Sequence, residues 1–207
     1  MGGKGAAMIA ALFVQHGGVY SREGVEPWAL PYKDARLYNG PHSVVAHPPC
    51  ERWGQFSTGG FGINRHETGD DGGCFASALK SVRAYGGVLE HPAKTKAFAH
   101  HGIARPFSVG WSDAGDGVGK VCAVNQGDYG HLALKPTWLY AVGCELPDIA
   151  RGIYRQWWHE DESKSERWKA RADKDGVCVL LSREERAATP VAFAELLIRM
   201  AESVKRQ

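Results

Sequence analysis

Val44-Val45-Ala46-His47-Pro48-Pro49-Cys50 is a short apolar run that stops at two prolines and a cysteine. The β-branched valines favour an extended strand, and each proline disfavours helical backbone in the residue before it. The stretch therefore predicts a strand with Cys50 at its carboxyl end, where open α/β sheets bind ligands. Seven glycines follow between Gly54 and Gly73, which places Cys50 at the root of a loop able to move over a substrate. A buried structural thiol is the alternative interpretation of Cys50.

The size and composition of the chain are those of one globular domain. It has 207 residues, of which 43% are hydrophobic and 23% are charged. The net charge of +2 is too small to indicate a nucleic-acid partner by itself. We therefore expect a single domain over residues 1–207.

The cysteines and the first apolar run indicate a cytoplasmic protein. There are five cysteines, an odd number, and none forms a Cys-x-x-Cys pair, which argues against a disulfide scaffold and against a structural zinc site. Residues 8–14 are apolar, but the run is too short to span a bilayer and no cleavage-site pattern follows it. We interpret it as the first core strand and expect neither a membrane partner nor a bound metal.

A turn and a loop follow the first strand. Gly17 and Gly18 form a paired-glycine turn after residues 8–14, where a ligand can approach the backbone closely. Residues 21–43 contain three prolines, so we expect mostly loop there, with one short helix around residues 33–38.

A helix and a second strand follow the glycine-rich loop. Residues 74–85 have apolar side chains at helical spacing, and residues 88–90 form an apolar run that ends in Glu90. A helical connection between two strands favours parallel neighbours with a right-handed crossover. We therefore expect Cys50 and Glu90 at one sheet edge, within the width of a base and beside a cleft.

The rest of the chain predicts a hairpin and a final helix. Residues 120–124 and 137–142 are typical of paired strands joined by a polar turn, and residues 190–204 have the apolar face of a helix packed on the sheet. Residues 151–174 interleave aromatic and basic side chains, a pattern found in nucleic-acid contacts. Five acids in the same stretch also fit an ordinary amphipathic helix.

Taken in order, four of these segments resemble motifs of the DNA cytosine carbon-5 methyltransferases. Ala11 to Gly18 is similar to the Asp-Leu-Phe-x-x-x-Gly-Gly cofactor loop, and Pro48-Pro49-Cys50 to the Pro-Cys nucleophile motif. The helix at residues 74–85 followed by Glu90-His91-Pro92 resembles the Glu-Asn-Val motif and the helix before it. Residues 128–143 are similar to the Tyr-Gly-x-Pro-Gln-x-Arg-x-Arg segment. Glu90 follows Cys50 by 40 residues, close to the spacing in that family.

The resemblance implies a fold and a set of site residues. The fold would be α/β, a single Rossmann-like, methyltransferase-like domain with a mostly parallel sheet and flanking helices, as in a minimal, phage-like member. Cys50 would add to cytosine carbon 6 as a thiolate, and Glu90 would exchange a proton with the edge of the base. The substrate would be DNA, with its cytosine flipped out or single-stranded. The remaining residues that this resemblance assigns are His91 and Lys135 in catalysis, Phe13, Gly17, Gly18, Glu26 and Pro49 for S-adenosylmethionine, and His47, Arg52, Trp53 and His131 for the substrate.

Several positions depart from the family pattern. Ala11 stands where the cofactor loop has an acid, and Thr137 replaces the second arginine of the last motif. Only 29 residues separate Gly18 from His47, a run in which the family has two further strands. Residues 144–188 would be a reduced target-recognition insert, and residues 189–207 a C-terminal helix packed on the domain.

Three hypotheses on function follow. The first is S-adenosylmethionine-dependent methylation of cytosine carbon 5. The second keeps the Cys50 adduct without any cofactor and deaminates cytosine to uracil, since saturating the 5,6 bond opens carbon 4 to water. The third is a catalytically inactive relative that binds DNA or a partner protein. No obligate protein partner is evident from the sequence, and free nucleotides are a further substrate class for the first two.

Overall fold

The computed structural model describes residues 8–54, 67–107, 110–131, 133–149 and 183–205. Cys178 and the aromatic and basic stretch at 151–174 lie outside these residues, as does most of the predicted insert at 144–188. The described elements are the strands β1 (Ile9–Leu12), β2 (Val25–Trp28), β3 (Ser43–Ala46), β4 (Gly87–Pro92), β5 (Trp111–Asp113), β6 (Lys120–Asn125) and β7 (Pro136–Val142), the helices α1 (Cys74–Tyr85), α2 (Lys96–His100), α3 (Arg183–Ala187) and α4 (Val191–Glu202), and two short 3-10 helices at Ala35–Leu37 and Gln126–Tyr129.

A seven-stranded sheet in the order β2-β1-β3-β4-β7-β6-β5 forms the centre of this α/β fold. The first four strands in that order are parallel to one another. The three remaining pairs are antiparallel. The prediction of a mostly parallel sheet is therefore wrong, because β7 runs against β4 and the β6/β7 hairpin continues the sheet in that sense. That hairpin itself was predicted and is confirmed.

The sheet is covered by a helix on each face. Helix α1 packs its apolar side against one face, together with Trp53 and Phe98. Helix α4 packs Phe193, Leu197 and its other apolar residues against the opposite face. Strands β1 and β3 are buried on both faces, which explains their nearly continuous apolar sequences. The predicted C-terminal helix is thus confirmed as a layer of the fold.

The β3–α1–β4 unit brings the two predicted catalytic strands side by side. Val44, Val45 and Ala46 of β3 pair in parallel with Gly87, Val88 and Leu89 of β4. Gly87 has φ +119°, and a Cβ atom there would lie 2.0 Å from the Val44 carbonyl oxygen. Only glycine fits at the start of β4, so this residue determines how closely the strands approach.

The sequence did not predict β2. Residues 21–43 were expected to be mostly loop, and the short 3-10 helix within the predicted range 33–38 is confirmed. Strand β2 contains Pro27, which weakens a strand prediction but is tolerated where the strand lies at the edge of its sheet. None of the described helices has the length and apolar composition needed to cross a membrane.

Candidate active site

A single carboxylate, Glu90, is the centre of the polar cluster at the ends of β3 and β4. Glu90 lies within β4, two residues before its end, and is only 8% exposed. Nδ1 of His47, the residue directly after β3, lies 2.9 Å from one carboxylate oxygen. Nε2 of Gln126 donates to the other oxygen at 3.1 Å. Both oxygens of this buried acid therefore have partners from other elements of the sheet.

These hydrogen bonds continue on both sides of Glu90. The Tyr20 hydroxyl lies 2.6 Å from Nε2 of His47. With Tyr20 donating to Nε2, the Nδ1 nitrogen of His47 carries the proton that it donates to Glu90. On the other side, Nε2 of Gln126 also donates to the Thr137 hydroxyl at 2.9 Å. We call Tyr20, His47, Glu90, Gln126 and Thr137 the Glu90 chain.

The Glu90 chain keeps the carboxyl group ionised. Burial opposes ionisation, but the hydrogen bond from His47 and the electrostatic interactions with His47, His91 and Lys135 outweigh it, so the pKa of Glu90 is lowered. Burial, aided by the Glu90 charge, raises the pKa of Tyr20 well above its usual value. Tyr20 therefore stays a neutral donor to His47.

Cys50 lies four residues beyond the end of β3. The residue as a whole is exposed, but its sulfur is partly shielded from water by neighbouring groups. Burial of its sulfur and the nearby Glu90 carboxylate raise the pKa of the thiol, while Lys135 lowers it. Glu90 and Lys135 thus both act electrostatically on the sulfur. In the resting protein Cys50 is a thiol and Glu90 a carboxylate.

Lys135 and His131 bind the backbone of the α3 region. The Lys135 ammonium donates to the carbonyls of Ala187, at 3.0 Å, and Ala188, at 2.6 Å. Burial lowers the pKa of Lys135, against the charges of Glu90 and Cys50. His131 has Nε2 3.1 Å from the Glu185 carbonyl, and its Nδ1 faces the backbone of Ala133. The structure thus uses His131, expected to contact substrate, to anchor α3.

His91 points to the opposite face of the sheet from Glu90, because adjacent residues of a strand alternate. Its ring packs edge-on against Phe75 with centroids 5.2 Å apart. It is 1% exposed, and neither ring nitrogen has a hydrogen-bond partner. Burial lowers the pKa of His91 to about 4, although the Glu90 charge and the Pro49 carbonyl act in the other direction. His91 is therefore a neutral core residue that acts on Glu90 only through space.

Trp53 and Arg52 are not placed as exposed contacts for a base. Trp53 is 2% exposed, lies in the core with Phe75, and donates its indole N–H to Asp71 at 2.8 Å. Asp71 also accepts from the Phe75 amide at the start of α1. Nη1 of Arg52 is buried and has no hydrogen-bond partner. Trp53 therefore fixes the start of α1 instead of reaching a substrate in this conformation.

The turn expected to hold S-adenosylmethionine is satisfied by its own hydrogen bonds. Phe13 directly follows β1 with φ +58°. The Gly17 amide donates to the Ser21 hydroxyl at 2.9 Å, and the Gly18 amide to the Gln15 carbonyl at 3.2 Å. We call residues 13–18 the glycine turn, which the Ser21 hydroxyl closes. Its two glycine N–H groups are not free for a ligand.

The acid expected to bind a ribose is also engaged. Glu26 of β2 forms an ion pair with Lys33 and accepts from the Trp28 indole at 3.1 Å. The rings of His16 and Tyr32, 4.6 Å apart, join the glycine turn to the segment after β2. Pro49, the fifth residue expected to contact this cofactor, is exposed beside Cys50.

Three members of the Glu90 chain were not proposed from the sequence as site residues. Tyr20 precedes His47 by 27 residues, and Gln126 and Thr137 follow Glu90 by 36 and 47. Tyr20 and Gln126 belong to none of the motifs, and Thr137 was marked only as a departure from one, so no local pattern identified the three as site residues. Where the chain is described, no group of three or more His, Cys, Asp or Glu side chains is placed to hold a metal ion.

Comparison with known proteins gives no assignment. No family model matches the chain, and neither a curated protein nor a solved structure matches it.

Proposed function

We propose that this protein modifies cytosine in DNA through a covalent bond between Cys50 and carbon 6 of the base, using a Rossmann-like domain related to the cytosine carbon-5 methyltransferases. The observation that supports this most strongly is Glu90. It is a buried, ionised carboxylate with donors on both oxygens, and its charge acts on the exposed thiol of Cys50. Such a pair supplies a nucleophile and a proton carrier at one sheet edge.

The resting protonation states suggest how addition proceeds. The Cys50 sulfur forms a bond to carbon 6, and the π electrons of the 5,6 bond move toward N3. The thiol proton passes to the Glu90 carboxylate and from there to N3, so that no net charge is created. Lys135 stabilises the developing thiolate, since its ammonium already lowers the pKa of Cys50.

S-adenosylmethionine does not fit the residues expected to hold it in this conformation. The N–H groups of Gly17 and Gly18 donate to Ser21 and Gln15, and the Glu26 carboxylate is paired with Lys33. A ligand carboxylate and ribose would have to displace these partners. We therefore derive no methyl-transfer step, although carbon-5 methylation is the activity that the resemblance implies.

Deamination is the second candidate, and the occupied glycine turn favours it. After addition, a solvent proton adds to carbon 5, which leaves carbon 4 open to attack by water. Water adds there, and ammonia leaves with a proton that Glu90 carries. Loss of the carbon-5 proton and expulsion of the Cys50 sulfur then restore the 5,6 bond. Overall, one water is consumed, one ammonia is released, and cytosine becomes uracil.

Mass spectrometry of nucleosides tests both candidates. The protein is incubated with single-stranded DNA, duplex DNA or free deoxycytidine monophosphate, each with and without S-adenosylmethionine. Deoxyuridine in the absence of S-adenosylmethionine would support deamination, and 5-methyldeoxycytidine only in its presence would support methylation. Unchanged cytosine in every substrate would overturn the proposed function.

A pair of cysteine variants shows whether a product depends on the proposed adduct. Cys50→Ser should abolish product formation. Cys74→Ser is the matched control, because Cys74 is a free cysteine at the start of α1 that belongs to neither the Glu90 chain nor the glycine turn. A product that survives Cys50→Ser would refute the covalent mechanism. Full binding of DNA by Cys50→Ser without any product from the wild type would favour the inactive DNA-binding relative.

A further inference from the structure

Among the described residues, Gln126 is the one amide side chain that donates directly to the Glu90 carboxylate. It begins the short 3-10 helix after β6 and is 1% exposed. The two hydrogens on its Nε2 are both used, one on Oε1 of Glu90 and one on the Thr137 hydroxyl. Thr137 in turn donates its own hydrogen to the Lys135 carbonyl at 3.1 Å, so its hydroxyl oxygen can only accept from Gln126.

These contacts fix which way the Gln126 amide faces. Rotating the amide by half a turn would place its carbonyl oxygen against the Glu90 carboxylate, where two acceptors repel each other. The observed orientation leaves Oε1 of Gln126 buried without a partner. An unpaired buried acceptor is unfavourable, so donation to Glu90 outweighs it.

The titratable groups near Glu90 come from several elements of the fold. His47 follows β3, Cys50 lies beyond it, Tyr20 follows the glycine turn, Lys135 precedes β7, and His91 is next to Glu90 on β4. His47 can take a second proton, and Cys50 loses one during addition. The Gln126 amide does neither, so its donation persists through each step.

We propose that Gln126 is a positioning residue that fixes the orientation of Glu90 and makes the carboxylate an acceptor for the exocyclic amino group of the substrate base. This inference rests on the proposed function and extends it to substrate choice. Cytosine carries an amino group at carbon 4, which donates to a carboxylate. Uracil and thymine carry a carbonyl oxygen there, which a carboxylate repels. Gln126 would thus make the site select amino pyrimidines.

The test compares three variants of the full chain by titration. Gln126→Met keeps the approximate size of the side chain and removes its donors, and Gln126→Glu replaces the donors by a second acid. The matched control, Tyr140→Phe, removes a buried hydroxyl that bonds Asp116 at 2.7 Å on the other face of the sheet. The Glu90 carboxyl is followed by carbon-13 NMR from pH 2 to pH 8, with its signal assigned from Glu90→Gln.

We expect Gln126→Met to raise the midpoint of the Glu90 titration by about one pH unit, and Gln126→Glu to raise it further because two acids then share one site. Tyr140→Phe should leave the midpoint unchanged. A Gln126→Met protein that folds and titrates Glu90 as the wild type does would overturn the proposal. If Gln126→Met does not fold, a Glu90 midpoint in Gln126→Glu that equals the wild-type value would overturn the proposal instead.

Substrate choice gives the second measurement. Cys50→Ser, alone and combined with Gln126→Met, is titrated with oligonucleotides that carry one unpaired cytosine or one unpaired uracil. Gln126→Met should reduce the preference for cytosine about tenfold. An unchanged preference would refute the selectivity role. The NMR titration needs no turnover, so it can succeed where activity fails. If the wild type has no activity but Gln126→Met shows the expected midpoint shift, the proposed function is rejected and Gln126 is still the residue that positions Glu90.

Discussion

The Glu90 chain and the glycine turn lie at ends of neighbouring strands but satisfy their polar groups in different ways. The Glu90 chain joins residues between 20 and 137 of the sequence. The glycine turn pairs Gly17 with Ser21 and Gly18 with Gln15. The hydrogen bonds of the Glu90 carboxylate join distant elements, so they form only when the sheet is complete. The hydrogen bonds of the glycine turn join residues close in sequence, so they need neither the sheet nor a ligand. The difference teaches that the Glu90 chain depends on the tertiary structure, whereas the glycine turn is closed locally and leaves no N–H group of Gly17 or Gly18 free for a ligand in this conformation.

Two glycine substitutions separate these regions most strongly. Gly87→Ala places a Cβ atom 2.0 Å from the Val44 carbonyl oxygen, so it should lower the free energy of unfolding by about 3 kcal/mol or more. Gly17→Ala meets no atom within 4 Å and is opposed only by its φ of +74°, a loss of about 1 kcal/mol. Urea denaturation at pH 7 measures both. Equal losses of unfolding free energy would mean that the close approach of β3 to β4 at Gly87 is not required for stability.

Removing the charge at the centre of the Glu90 chain should reduce activity with little change in structure. Glu90→Gln is expected to slow product formation about 100-fold, since the amide can no longer carry a proton between Cys50 and N3. Initial rates of nucleoside conversion measure this effect. Glu195→Gln is the control, because Glu195 is a partly exposed acid on α4 that forms an ion pair with Arg22. A wild-type rate for Glu90→Gln would show that the chain serves folding alone.

The pH dependence of stability distinguishes the two faces of β4. The pKa of His91 is about 4 in the folded protein and near 6.5 when unfolded, so the unfolded chain binds more protons between these values. Burial of neutral His91 carries no protonation cost above pH 6.5, where the unfolded chain is also neutral at this residue. Between pH 7 and pH 5 the free energy of unfolding should fall by about 2 kcal/mol, because His91 takes up a proton only in the unfolded chain. Urea denaturation of the wild type and of His91→Leu at both pH values measures this loss.

The His91→Leu protein should lose most of that dependence. Part of it should persist, because burial and the neighbouring His100 also lower the pKa of His101. The same slope in the variant and the wild type would mean that the pKa of His91 is not lowered in the folded protein. His91 would then become charged beside Glu90 as the pH falls through about 6.5, and the two faces would no longer differ.

The smallest effect concerns the glycine turn. Ser21→Ala removes the acceptor of the Gly17 amide in an exposed turn and should lower stability by about 0.5 kcal/mol. Thermal unfolding with and without millimolar S-adenosylmethionine measures both stability and binding. We expect S-adenosylmethionine to leave the unfolding midpoint of the wild type unchanged. It should raise the midpoint of Ser21→Ala measurably, because the Gly17 amide is then free. A shift in the wild type would show that the turn opens for the cofactor and would favour methylation.

Much of the fold was predictable where local patterns sufficed. Helix α1 begins and ends at the predicted residues 74 and 85, because its apolar spacing and the Gly86-Gly87 pair after it are local signals. The β6/β7 hairpin was predicted, but the antiparallel pairing of β7 with β4 was not, since the direction of β7 beside β4 depends on contacts between distant segments. Strand β2 was missed because Pro27 is a local signal that an edge position overrides.

The sequence by itself determined the β3–α1–β4 unit, and with it the neighbourhood of Cys50 and Glu90, because strand and helix periods and the glycines between them are encoded within short windows. Only the tertiary structure decided what Glu90 binds. Its partners Gln126 and His47 directly follow β6 and β3, and β7 separates β6 from β4. Hydrogen-bond partners at such separations are selected by strand order and by the exclusion of water, and neither is written in any local run of residues.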